Sequence, residues 1–138
     1  MKLTKLNSNT VVNLNLGKYS IDWGRKVSIP QLTTKQFLKK YWEYDAVYEE
    51  VLIPGSLCRI DLLNTSRMVI VEVSPDSVHT EYNKFMHKNR SVFLKKIEAD
   101  FAKRSWSEKN GFTFVELNSD DIKNLSQELF LDKFGVNL

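Results

Sequence analysis

Between residues 46 and 73 three apolar-rich runs follow one another almost without pause: AVYEEVLI, LCRIDLL and RMVIVEV. Each has strand length and is too short for a free-standing helix, and each mixes β-branched residues with single polar positions. The joins are turn chemistry. Ile53-Pro54-Gly55-Ser56 sets proline and glycine in the central positions of a type II turn, and Asn64-Thr65-Ser66 supplies a second tight reversal. Joins this short allow antiparallel pairing only, since a parallel neighbour needs a crossover of a dozen or more residues. The chain must therefore fold around a three-strand antiparallel meander.

The remaining elements are read outward from it. TVVNLNL alternates apolar and polar residues and reads as a strand ending at Gly17, followed by an irregular stretch from Tyr19 to Gln31. A helix is expected to start at Thr33 or Thr34 as N-cap and run through TKQFLKKYW, with Phe37, Leu38, Tyr41 and Trp42 inward and Lys35, Lys39 and Lys40 outward. A long helix is expected over about 88–109, its buried stripe made by Val92, Phe93, Leu94, Ile97, Phe101 and Trp106, and Asn110-Gly111 closes it with a left-handed cap. FTFVEL then returns as a strand parallel to the meander through that crossover. NSDD caps a last helix to about Phe134. The expected fold class is α/β: a mixed sheet with helices over it in the order αβββαβ, plus an N-terminal strand and a C-terminal helix. With 138 residues, 42% of them hydrophobic, one domain spanning 1–138 is expected.

Charge is unevenly spread. Residues 1–44 carry eight Lys/Arg against two acids, 45–83 two against seven, 84–109 eight against three, and 110–138 two against five. Basic flanks suit a phosphate backbone and an acidic centre suits a divalent cation, although ordinary solvated faces give the same counts. No run approaches a membrane span, and MKLTKLNSNT lacks the apolar run of a signal peptide, so a soluble protein of the cytoplasm is expected. Cys58 has no partner for a disulfide or zinc cage and reads as core filling.

The chemistry concentrates where strands meet acids. In LCRIDLL the period of two sets Cys58, Ile60 and Leu62 on one face and Leu57, Arg59, Asp61 and Leu63 on the other; Glu72 shares a face with Met68 and Ile70. If Asp61 and Glu72 meet at one end of the meander, two like charges lie close, at a cost that a cation between them relieves. The alternative is that either acid reaches solvent or pairs with Arg59 or Arg67. Oxygen ligands alone suit Mg²⁺ or Mn²⁺. Past the SPDS loop, His79 is within sequence reach of the same strand end and could take a proton from water, while His87 is a candidate phosphate contact. In the long helix Lys96, Asp100, Lys103 and Arg104 recur at three- and four-residue spacings, as a salt-bridged solvent face or as the edge of a site.

This set of residues resembles the PD-(D/E)XK nuclease superfamily, whose shared core is helix, three antiparallel strands, helix and strand; the resemblance covers about residues 33–117. It implies a restriction-endonuclease-like core, with Asp61 and Glu72 as metal ligands beside a backbone carbonyl near Val73. Ser74 stands where that family carries lysine. "IDLLNTSRMVIVEVSPDSVH" with "IEADFAKRSW" is more specifically similar to the EDxHD branch of very-short-patch repair and phage homing endonucleases, matching Asp61, His79 and Asp100 to its Asp, His and final Asp. The first-helix Glu of that branch is replaced by Gln36, and Glu49 or Glu50 on the first strand is the candidate substitute, Glu50 being preferred. What the resemblance implies is a Mg²⁺- or Mn²⁺-dependent DNA endonuclease, phage homing or nicking, acting in the host cytoplasm. His79 would activate water and Asp100 would orient it or balance charge. Arg25, Lys26, Lys84, Lys88, Arg90, Lys103 and Arg104 are the expected contacts to double-stranded DNA. Cutting both strands at one site calls for a homodimer. The alternatives are a catalytically silent DNA-binding protein on the same fold, and a structural or partner-binding module with no nucleic-acid role.

Overall fold

The computed structural model describes residues 1–74 and 90–138, with Val92 and Phe93 described in backbone only. Two short strands open the chain, β1 (Lys2–Thr4) and β2 (Val11–Asn13), paired antiparallel as a sheet of their own. A 3-10 turn over Gly17–Tyr19 leads to α1 (Ile29–Trp42). The meander follows as β3 (Val47–Leu52), β4 (Arg59–Asn64) and β5 (Val69–Val73), then α2 (Arg90–Lys109), β6 (Thr113–Leu117), α3 (Ser119–Lys123) and α4 (Gln127–Phe134). The second sheet has the order β3-β4-β5-β6, antiparallel through β5 and parallel between β5 and β6. The protein is thus a mixed α/β structure. Among the described residues no helix is long and apolar enough to cross a membrane.

The turns form as their residues dictate. Gly55 takes φ +76° and Ser56 N–H returns to the Ile53 carbonyl, closing the β3–β4 hairpin. Gly111, at φ +83°, ends α2. The N-terminal strand belongs to a hairpin whose first arm, KLT, was too short to show a period. The start of α1 also differs from expectation. Ser28 caps it, five residues before Thr33, accepting from Gln31 N–H with Pro30 in the first turn. Thr33 and Thr34 are inside the helix and donate back to the Ile29 and Pro30 carbonyls. The last helix is in fact two, Asn118 capping α3 in a reciprocal box with Asp121 and Ser126 capping α4.

Both faces of the sheet are covered. On one, α1 and α4 pack Leu38, Trp42 and Phe130 against Val47, Leu62, Val69, Val71, Val115 and Leu117. On the other, Trp106 and Phe112 join Leu3 and Leu16 over Val51, Ile53, Ile60, Leu63 and Ile70. Cys58 packs at the margin of this second core, as expected of filler. Burial on both faces explains why β5, an inner strand, is a continuous apolar run. Two expectations fail here. Lys35 is buried at 1% exposure instead of facing outward, and Leu94, Ile97 and Phe101 of α2 are exposed instead of forming its buried stripe.

Candidate active site

Ile60 and Leu62 are two residues apart yet belong to opposite cores, as do Val47 and Val51 on β3. The strict alternation read from LCRIDLL is therefore broken, and Leu57 is exposed ahead of β4. The break sits at one level of the sheet, where Glu50 takes φ +52° beside Asp61. A non-glycine residue in left-handed backbone stores about 1–2 kcal/mol of strain. The backbone turns over here, so Glu49 and Glu50 in sequence, and Asp61 and Leu62, both reach toward α1.

Strands β4 and β5 part at the same level. Their last ladder pair is Leu62 with Val71; one step on, Val73 N–H donates to the Asp61 carboxylate at 2.8 Å rather than to a carbonyl of β4. The other Asp61 oxygen accepts from Gln31 Nε2 at 3.0 Å, and the same amide reaches Glu50 Oε1 at 3.4 Å. Facing two carboxylates, the NH₂ end of Gln31 is the only end that can bond. Capping by Ser28 is what brings Gln31, in the first turn of α1, to this point. Gln36, the residue expected here from the helix, is exposed. These groups line a small cleft with Val27, Lys35, Glu49 and Leu62.

Glu72 closes the site from β5. It is 6% exposed, and Lys103 of α2 donates to its Oε1 at 3.2 Å. Burial pushes the Glu72 carboxyl up from 4.5 to about 9; the charge of Asp61 and a hydrogen bond with it push the same way, and Lys103 offsets only part. Burial acts to lower Lys103, but its acidic neighbours, Glu72 first and then Asp61 and Asp100, outweigh it and raise it. The two acids therefore meet, the condition that the sequence reading left open. They are paired with neither Arg59 nor Arg67: Arg59 reaches the Glu50 carbonyl, and Arg67 binds Asp45 at 2.6 Å.

A second, fully compensated pair lies beside the first. Lys35 Nζ donates to Glu49 Oε1 at 2.8 Å and to the Asp22 carbonyl at 2.6 Å, with the Arg25 carbonyl at 3.4 Å, while Glu49 Oε2 accepts Asp22 N–H at 2.7 Å. The pair ties the loop carrying Arg25 and Lys26, both exposed, to the wall of the cleft. Of the remaining candidates, Asp100 is exposed and acts on the site through Lys103, Arg104 pairs with Glu116 at 3.4 Å, and Arg90 is exposed at the start of α2. His79, His87, Lys84 and Lys88 lie outside the described residues. Val73 enters the site through its amide.

Gln31, Lys35 with Glu49, and the bond from Lys103 to Glu72 escaped the sequence reading. The Ser28-Ile29-Pro30 start signal would have placed Gln31; nothing local announces the other two, whose partners lie 14 and 31 residues away. As donors, Asp61 and Glu72 are hard oxygens with too little positive charge around them, and Glu72 holds a proton in compensation. That suits a divalent cation of the Mg²⁺ or Mn²⁺ kind. Among the described residues no three His, Cys, Asp or Glu side chains form a ready-made metal cage, so a cation would have to displace Lys103 or Gln31 from the acids. Comparison of the chain with family models, with curated proteins and with solved structures gave no match.

Proposed function

We propose that the protein is a metal-dependent DNA endonuclease of the PD-(D/E)XK kind, nearest the EDxHD branch, with its core over about residues 29–117. The observation that carries this reading is the coupled pair Asp61 and Glu72, brought together where β4 and β5 part. The element order α1-β3-β4-β5-α2-β6, with β6 parallel to β5, supports it. Asp61 and Glu72 would hold Mg²⁺ or Mn²⁺, while Glu50 shares the Gln31 amide with Asp61. The cation supplies Lewis-acid polarisation of the scissile phosphate.

This chain's residues do the rest. Lys103 takes over the work of the lysine absent at Ser74: displaced from Glu72, its ammonium is free to hold a phosphate oxygen. Gln31 keeps Asp61 and Glu50 oriented, and Val73 N–H fixes the second oxygen of Asp61. By its place in the motif, His79 receives the proton of the attacking water as the bond from phosphorus to the leaving oxygen breaks. Arg25 and Lys26, carried on the loop held by Lys35, give the backbone contacts to duplex DNA. The cytoplasm, of a host cell if the protein is phage-encoded, is the setting.

A silent DNA-binding protein is the second reading. It is favoured by one observation, that both acids are already engaged, Glu72 by Lys103 and Asp61 by Gln31 and Val73. Incubating supercoiled plasmid and phage genomic DNA with wild type and with Asp61→Asn, in Mg²⁺, in Mn²⁺ and in chelator, separates the two. Metal-dependent nicking or linearisation, reduced at least 100-fold by Asp61→Asn, is expected. DNA binding without cutting in either metal would leave the silent protein.

A further inference from the structure

Helix α2 has two faces, and the sheet accounts for one of them. Trp106 and Ser107 are buried against the protein body and Lys103 is bound to Glu72. At about 100° per residue, Leu94, Ile97 and Phe101 fall on the opposite side of the helix. There they are 44%, 42% and 70% exposed. Extended in both directions at alternating spacings of four and three, the same stripe takes in Arg90, Arg104 and Glu108, all exposed. Arg90, Leu94, Ile97, Phe101, Arg104 and Glu108 are therefore the a and d positions of one heptad seam, which is the pattern of a helix that packs against another helix.

The charges on the seam say which partner fits. Laid antiparallel on its own copy, with the two-fold axis level with Ala99, the seam meets itself a-to-d at every layer: Ile97 against Phe101, Leu94 against Arg104, and Arg90 against Glu108. The apolar layers are central and the opposite charges fall at both ends. At the intermediate layer the Arg104 stem can cover Leu94 while its guanidinium stays with Glu116 and the Phe114 ring, where it already sits. A parallel arrangement would set Arg90 on Arg90 and Glu108 on Glu108, like charge on like charge. A two-fold interface uses the same patch on both subunits, and this patch is complementary to itself in one orientation only. We infer that α2 is the dimerisation element, pairing antiparallel with α2 of a second copy through Leu94, Ile97 and Phe101, with Arg90 and Glu108 setting the orientation.

Sedimentation velocity of the full chain from 1 to about 200 μM, without DNA, tests this apart from any nuclease activity. A concentration-dependent monomer–dimer equilibrium is expected. Phe101→Glu should abolish it while far-ultraviolet circular dichroism stays that of the wild type, because the side chain is exposed in the monomer. Arg90→Glu and Glu108→Arg should each weaken the dimer at least tenfold, and the double exchange should restore it. A monomer throughout that range, a dimer indifferent to Phe101→Glu, or single charge reversals that the double exchange does not rescue would each overturn the assignment.

Discussion

Without a cation nearby, Glu72 keeps its proton at neutral pH because the site offers burial and the Asp61 charge against only the partial relief of Lys103. Its folded pKa, about 9, lies above its ordinary 4.5, so the folded state binds more protons than the unfolded chain across that window. The resulting stabilisation is complete below 4.5 and is lost as pH rises through about 9. Urea unfolding of the metal-free protein should show stability falling across this range by at most about 1.4 kcal/mol per pH unit, and Glu72→Gln should flatten the profile. A wild-type profile that rises over the same window would contradict the assignment. Lys35 behaves differently because its partners are complete. Lys35→Met leaves Glu49 buried without its cation and should cost about 3–5 kcal/mol, read from the same unfolding curves. Lys35 was also the residue least legible in sequence. Its helical position matches those of the exposed Lys39 and Lys40, and only a carboxylate on another element distinguishes it.

At the scale of elements, α2 is held by its C-terminal half. Trp106 stacks with Phe112 and its indole N–H donates to the Thr4 carbonyl at 2.7 Å; Asn110 bonds Thr4 as well, and Lys109 reaches Ser8 and Asn9. The β1–β2 hairpin is thus a clamp on the end of α2. Trp106→Ala should cost about 3–5 kcal/mol, whereas Leu94→Ala, measured in the monomer, should stay within about 1 kcal/mol. The meander, its turns and the parallel return of β6 were legible because turn residues and strand lengths leave few topologies. Apolar spacing on α2 showed a stripe but could not tell which side it faced, since a seam for a partner and a seam for a core share one period. The alternation in LCRIDLL misled for a local reason, the left-handed backbone at Glu50, which no residue preference announces. Glu50→Gly should remove that strain and one carboxylate together, leaving stability within about 1 kcal/mol of wild type while metal-dependent cleavage falls.

For the whole molecule, the sheet has its two cores on either side and its acids where two strands separate. Basic groups stand at one margin of that opening, Arg25 and Lys26 on a loop pinned by Lys35. If the loop tracks the phosphate backbone, replacing Arg25 and Lys26 by alanine should reduce the slope of log binding constant against log salt by about 2, about one unit per phosphate contact. An unchanged slope would remove the loop from the interface. That Asp61 and Glu72 meet stood in the sequence only as a condition on how β4 and β5 pair; what engages them was not legible at all, since Lys103 and Gln31 arrive from helices distant in sequence. The claim beneath all of this is that the acid in the central strand is there to hold a cation. Calorimetric titration of the wild type with Mn²⁺ at pH 7, in two buffers of different ionisation enthalpy, tests it most directly. One site releasing about one proton per cation is predicted, as Glu72 gives up its proton, with Asp61→Asn abolishing binding and Glu72→Gln weakening it and removing the proton release. Absence of Mn²⁺ binding by the folded wild type up to millimolar concentration, or binding that both substitutions leave unchanged, would contradict it.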